Sequence, residues 1–376
     1  MVSDVALQIP PAGGGSNPLA NLINLLIFGM IFASFFFGQQ IQSRIAILQL
    51  DGAVRKLDFI RNEAKALALR TIKEIGKPKE DPSPALSGLL EQFFITPVDL
   101  DPAGIIGKLD HLLDVRDLKF KADVRKLAPE ATDAQVNNLE NLVEASWALH
   151  LLFKVVRHFY LLGKKTSSFY VILQLQMLLP LIMQEAEAYS GAAKAFAQGQ
   201  PVGDGAGALV ASKLMRNSEK REMEKDIMVA ETTVEGRRLI ALKAKGPGGN
   251  VGKPGDAIRT LIEENGGKLA MIIMVDAALK FEGEKTGEIS EGIGAAIGGV
   301  GTERFKIEEE ATKHKIPVYA IIIKESIQEA ITPMKKEIAE AADGVIQRIK
   351  SLIQERTKEG ELVILAGIGN TVGIAQ

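Results

Sequence analysis

Between Asp4 and Arg44 the chain carries no charged residue, and residues 18–37 read PLANLINLLIFGMIFASFFF. About 20 apolar residues, at about 1.5 Å of rise each, cross a hydrocarbon core of about 30 Å as one helix. The spacing therefore predicts a single transmembrane helix over residues 18–38. A buried helix and a signal sequence are the competing readings. A cleaved signal needs a basic segment before its apolar run and a small-residue cleavage site after it. Here Asp4 is the one charge ahead of the run, which ends in Phe-Phe-Phe-Gly-Gln-Gln.

Orientation follows from the basic residues near the ends of the span. Arg44, Arg55, Lys56 and Arg61 come after it, and no Lys or Arg comes before it. The positive-inside rule then sets residues 1–17 as an extracytoplasmic tail and the C-terminal bulk in the cytoplasm of a single-pass cell-membrane protein. The lipid bilayer is the first expected partner.

The chain as a whole carries 46% hydrophobic and 24% charged residues, a globular composition, and the part after the span has the length of about two domains. A net charge of −2 supplies no footprint for nucleic acid. With 0 Cys, disulfides, thiolate metal sites and cysteine nucleophiles are excluded; the 4 His show no ligand spacing, so zinc is not expected.

Apolar residues at three- and four-residue intervals predict an amphipathic juxtamembrane helix over 39–76, where Gly52 argues against a strict coiled coil. Its apolar stripe needs a partner, either the protein's own domain or the same helix of another subunit. A Pro/Gly-rich linker is expected over 76–88, inside a helical domain assigned to 77–216. Two long helices stand out there, 133–162 and 166–195. The apolar run 169–183 is short for a span and contains Gln174, Gln176 and Pro180, which favours a buried core helix or one lying at the bilayer surface. His150 and His158 read as core or rim residues.

An α/β domain is assigned to 217–376. Candidate strands are IMVAETTV, RRLIALKA, LAMIIMV, VYAIII and ELVILAG, the first two joined as a hairpin through Glu235 and Gly236. Helices are expected at 256–264, 286–297, 304–314 and 326–357. The fold class is thus an α/β C-terminal layered domain, a helical middle domain and one N-terminal transmembrane helix, with ligands at the carboxyl edge of the strands.

The loop KGPGGNVGKPGDAI, residues 245–258, follows a strand and precedes a helix with Pro254 at its start. Gly246, Gly248, Gly249, Asn250, Gly252 and Lys253 are therefore candidate ligand-binding residues, because free N–H groups at a helix start attract phosphate. Neither the P-loop nor the dinucleotide fingerprint is matched. The terminal AGIGNTVGIAQ repeats the glycine spacing and adds Gly367, Gly369, Asn370 and Thr371; PVGDGAG, with Asp204, is either a domain junction or a third wall of the same cleft. Turn chemistry alone also explains each loop. Asp276, Glu284, Glu288 and Glu291 are candidate ligands for Mg²⁺ beside a bound phosphate, against the plainer reading of a solvated acidic face. The stretch from Gly292 to Gly301 is rich in small residues and suits close approach to a ligand or a second subunit.

Through EGEKTGEISEGIGAAIGGVGTERFKIEEEA, GPGGNVGKPGDAI and AGIGNTVGI the chain resembles a family of archaeal membrane-anchored proteins of unknown function, about the same length and with an N-terminal span. The resemblance implies the architecture and an archaeal source, and it transfers no catalytic residue. Two functions are carried forward. One is a membrane protein whose cytoplasmic α/β domain binds a phosphorylated small molecule or nucleotide, with the reaction open. The other is a membrane-tethered homo-oligomeric assembly protein without catalysis.

Overall fold

The computed structural model describes residues 18–97 and 104–376, and of residues 33–37, 39 and 40 the backbone alone. The expected tail 1–17 lies outside the described residues. The N-terminal half is helical: α1 (Pro18–Thr71), α2 (Ser83–Leu90), α3 (Ile105–Leu127), α4 (Asp133–Thr166) and α5 (Phe169–Gln198). The apolar stretch and the juxtamembrane segment are one helix, which Gly52 does not interrupt. It ends in a π turn, Ile72–Gly76, followed by Lys77 at φ 43°. The segment read as a linker holds α2, which starts where Pro84 suits a first helical turn.

The chain divides into one compact unit, residues 1–53 with 156–179, and another, residues 54–155 with 180–376. In the smaller unit the Tyr160 hydroxyl donates to Asp51 at 2.7 Å, and Gln176 Nε2 donates to Gln49 at 2.6 Å. The two helices α4 and α5 meet at a tight turn with Ser167 at φ 50°. Their contact is close enough that a Cβ on Gly163 would sit 2.9 Å from Ile172.

For the run 169–183 the structure separates the two expected alternatives. The run belongs to a helix of 30 residues, and among the described residues α5 is the one helix long and apolar enough to cross a membrane. Only 17% of its most apolar window is buried, so it is not a core helix. Tyr170, Leu173, Met177, Leu178 and Leu181 are exposed. The apolar stretch of α1 is described with side chains over Pro18–Phe32, and Leu19, Leu22, Leu25 and Phe28 are exposed there.

In the larger unit Leu57 and Ala64 of α1 and Leu139, Leu142 and Val143 of α4 are all buried. Full burial of such a side chain is worth about 1.5–3 kcal/mol. Ser146 donates to the Leu142 carbonyl, and Arg61 lies 4.2 Å from the Phe153 ring centroid. His150 faces Glu91 at 2.8 Å, as a rim residue.

After a short 3-10 turn, Gly203–Gly205, and α6 (Ala206–Met215), the chain builds a mixed sheet of seven strands. These are β1 (Lys220–Glu222), β2 (Ile227–Val234), β3 (Arg237–Ala244), β4 (Met271–Leu279), β5 (Ile289–Ile293), β6 (Val318–Glu325) and β7 (Leu362–Gly367). Their order is β1-β2-β3-β7-β4-β6-β5. The β2–β3 hairpin turns through Glu235 and Gly236 as expected, and β3, β7, β4 and β6 run parallel. The side-chain period of two sorts β4 cleanly. Met271, Ile273 and Val275 face α6 and α10 (Lys336–Arg356), while Ile272 and Met274 face α7 (Pro254–Glu264) and α8 (Thr302–His314). The result is a three-layer α/β/α arrangement.

Two helix expectations are corrected. Residues 286–297 hold β5, paired antiparallel with β6, because Gly292 and Gly294 weaken a helix by about 1 kcal/mol each. Residues 326–357 split into α9 (Ile327–Ile331) and α10. Ser326 and Glu329 form a capping box at the start of α9, and Pro333 denies the chain a continuous helix.

Candidate ligand-binding site

At the carboxyl edge of β3 and β7 the two glycine-rich loops pack on each other. The Thr371 hydroxyl bonds the carbonyls of Gly248 at 2.8 Å and Asn250 at 3.1 Å, and the Thr371 amide donates to the Asn250 carbonyl at 3.0 Å. A Cβ on Gly246 would overlap the Ile374 carbonyl, and one on Gly369 would overlap the Asp204 carbonyl. These glycines are therefore required for close backbone approach. Gly367 is likewise pressed against the Gly207 backbone, beneath α6. The Asp204 carboxylate accepts the Asn370 amide at 2.8 Å, which makes the PVGDGAG loop a third wall to this junction.

The first half of α4 closes the other side. Asn141 Nδ2 donates to the Gly249 carbonyl at 2.8 Å, its Oδ1 accepts from Asn370 Nδ2 at 2.9 Å, and Asn138 accepts the Gly249 amide at 2.7 Å. Gly248 touches Ala134 so closely that a Cβ would lie 2.8 Å from its Cα. Lys253 sits at the N-cap of α7 with Pro254 next, as expected. Its ammonium is not free for a ligand: it pairs with Asp114 of α3, and Asp110 lies 3.7 Å away. The Gly255 amide at that helix start donates to Glu303. The anion position expected for phosphate is thus filled by a carboxylate of the chain itself.

Beside this junction lies a cavity of about 300 Å³ between α3, α4, the Lys225–Asp226 turn and the loop from Gly249 to Lys253, with Asn370 at its base. That volume is at the lower end for small-molecule sites. Three buried polar atoms of its lining have no hydrogen-bond partner among the described residues: Asn137 Oδ1, Glu140 Oε1 and Asn250 Nδ2. The Asn250 amide orientation is fixed, because its Oδ1 accepts the Gly252 amide at 2.9 Å. Buried polar groups are almost always paired, and an unpaired one costs about 1–3 kcal/mol. The three around one cavity are a donor and two acceptors that water or a bound molecule can meet there.

The electrostatics of the cavity are mixed. Arg116 pairs with Glu144 at 2.7 Å and Lys121 with Asp226 at 3.9 Å, whereas Lys225 has no ion pair among the described residues. Burial pushes Glu140 up to about 7; Lys121 opposes this, and Glu144, Asp226 and Asp117 add repulsion. Burial also raises Glu144 and Asp117. A half-buried carboxyl that titrates near neutrality can give or take a proton from a bound molecule.

The candidate Mg²⁺ ligands are not brought together. Glu284 and Glu288 both bind Lys324, at 2.6 and 3.0 Å, and Glu291 faces Arg348 at 3.5 Å. Asp276 is buried within β4, three residues before its end, where burial and then Asp204 push it up to about 8. Glu325 of β6 is pushed to about 8 by burial and by Asp204, Glu329 and Asp276, and both its oxygens lack partners among the described residues. No group of three His, Asp or Glu able to hold a metal ion occurs among the described residues.

Gly249, Asn250, Gly252, Lys253 and Asn370 line the cavity; Gly246, Gly248, Gly367, Gly369 and Thr371 build the junction behind it. The wall that sequence reading missed is Asn137, Glu140, Asn141 and Glu144. Their i, i+3, i+4, i+7 spacing is a polar stripe on an otherwise apolar helix, and that was the available signal.

Comparison with family models matches residues 23–199 to the N-terminal domain of a protein of unknown function, DUF1512, and residues 202–375 to the C-terminal domain of the same family. No curated protein and no solved structure matches the chain.

Proposed function

We propose that this chain, which belongs to the DUF1512 family, is a single-pass membrane protein whose cytoplasmic part holds one small phosphorylated molecule in the cavity between α3, α4 and the Gly249–Lys253 loop. The observation that carries the reading is the trio of unpartnered atoms on Asn137, Glu140 and Asn250. Two acceptors and one donor complement a polar head group with at least two N–H or O–H groups and a carbonyl, such as a nucleobase or sugar. Lys225, at the rim, suits a single phosphate. The lining sums to five carboxylates (Asp114, Asp117, Glu140, Glu144, Asp226) against four cations (Arg116, Lys121, Lys225, Lys253), which disfavours a polyphosphate. The uncharged stretch of α1 supports the anchor, and the resemblance in architecture supports an archaeal source.

The test is a thermal-shift screen of the full detergent-solubilised chain against nucleoside mono- and triphosphates and sugar phosphates, since a ligand specific for the folded state must raise its melting temperature. A shift with a monophosphate that Glu140→Gln and Asn250→Ala both abolish supports the proposal. No shift, or one that survives both substitutions, sinks it. Resistance of the protein to alkaline carbonate extraction tests the anchor separately.

The assembly reading keeps one specific support. Ile41, Ile45, Leu48 and Phe59 form an exposed apolar stripe on α1, and Ile293 and Val300 are exposed in the glycine-rich stretch. Mass measurement in detergent tests it. Gly298 is a fit site for a bulky substitution, with nothing within 4 Å of an added Cβ, whereas Ala295 is buried against the sheet and is not.

A further inference from the structure

We propose that the tip of the α4–α5 hairpin is a second membrane contact, a basic and aromatic surface that rests on the anionic headgroups of the bilayer α1 enters. It rests on the reading of α1 as an anchor. From Ala145 to Gln184 the chain has no Asp or Glu, while Lys154, Arg157, Lys164 and Lys165 are present. Lys164 and Lys165 are exposed at the end of α4. Lys164 leans over the Tyr160 ring at 5.2 Å, and Lys165 has no ion pair among the described residues. Across the turn, Phe169 and Tyr170 open α5 with ring centroids 6.3 Å apart, and Tyr170 is 75% exposed. Lysines beside exposed aromatic rings are the combination that settles at a membrane–water interface. Each cation near an anionic leaflet contributes about 1 kcal/mol.

The height of the tip agrees. Within the smaller unit Tyr160 reaches Asp51 and Gln176 reaches Gln49, and the hairpin 156–179 belongs with residues up to 53, so its tip lies on the apolar-run side of Gln49. From Tyr160 to Ser167, and from Gln176 back to Ser168, the hairpin continues about seven or eight residues toward the apolar run. The tip thus lies level with about residues 41–44, roughly 5–10 Å beyond Gly38 at 1.5 Å per residue. The headgroup layer is about 5–8 Å thick on each side of the hydrocarbon. A second copy of the chain is the weaker occupant, since two such faces would bring like charges together with no carboxylates to match them.

With 0 Cys in the chain, single labelling sites are available at Thr166→Cys, Leu25→Cys and Lys336→Cys. Each labelled full-length protein is placed, one copy per nanodisc, in phosphatidylglycerol or in phosphatidylcholine. The expected result is that the Thr166 label is quenched by headgroup-level nitroxide lipid and shielded from aqueous iodide in the anionic discs. Lys164→Gln with Lys165→Gln should reverse the shielding, while the Lys336 label stays open to iodide throughout. A Thr166 label as open as Lys336, with the Leu25 label quenched by deep nitroxide, overturns the hairpin contact and spares the anchor. A Leu25 label untouched by deep nitroxide overturns both. Shielding that appears only with two copies per disc assigns the face to self-association and overturns the proposal.

Discussion

The backbone amide of Gly255 donates to Oε2 of Glu303 at 2.7 Å, so a carboxylate from α8 caps the first turn of α7. The same side chain accepts from Lys306 through its other oxygen at 2.8 Å, and Lys306 also reaches Asp256 at 2.9 Å and Asp110 at 3.1 Å. Glu303→Ala is expected to cost about 0.5–2 kcal/mol, the usual worth of a helix cap. It also vacates an anion position at a helix start. Sulfate should then raise the melting temperature of the variant more than that of the wild type, a comparison read by calorimetry in chloride and sulfate.

Glu140 should dominate recognition in the cavity. Its Gln variant keeps the shape and removes the charge, and the affinity of the bound molecule is expected to fall at least about tenfold, as loss of a charge-assisted hydrogen bond of roughly 1.5–3 kcal/mol implies. Titration calorimetry with the ligand found by the thermal-shift screen reads this directly. Stability of the free protein should not fall, because burial of the charged form is unfavourable at that position.

Asn141 ties three segments together through Gly249, Asn137 and Asn370. Asn141→Ala leaves the Gly249 carbonyl and the Asn370 amide without those partners, at an expected total of about 2–4 kcal/mol. Hydrogen exchange should rise in residues 246–253 and 368–373 before it rises in β4.

Alkaline pH should weaken the fold through the buried carboxyls of β4 and β6. Unfolded, Asp276 and Glu325 lose their protons near pH 4; folded, they hold them to about 8. Between those values the native state binds more protons, so stability falls as pH rises from about 4 to about 8 and then levels. Urea midpoints at about pH 5.5 and about pH 8.5 measure the drop. Glu325→Gln should shrink it, and an unchanged drop in that variant would refute the assignment.

Much of the C-terminal fold was legible because its strands are apolar runs of the right length, bounded by glycine and proline. The β2–β3 hairpin and the parallel core strands follow from that pattern alone. β5 was not legible, since ISEGI carries no apolar alternation of its own and is a strand only because β6 offers an edge to pair with. The site divides in the same way. The loop residues announced themselves through glycine, but most of those glycines serve backbone packing, and Lys253 is consumed by Asp114 and Asp110. Glu140 and Asn137 were hidden because they lie over 100 residues from Asn250 in sequence. Only the tertiary fold brings them to one cavity.

The middle of the sheet is made last. β7 pairs with β3 on one side and β4 on the other, yet it is synthesised after every other strand. Until Leu362–Gly367 emerges from the ribosome, β3 and β4 face an empty slot and the nascent chain holds two half-sheets with raw edges. Closure of the sheet therefore waits on a segment near the far end of the chain, and the edges of β3 and β4 are covered only when that keystone strand arrives.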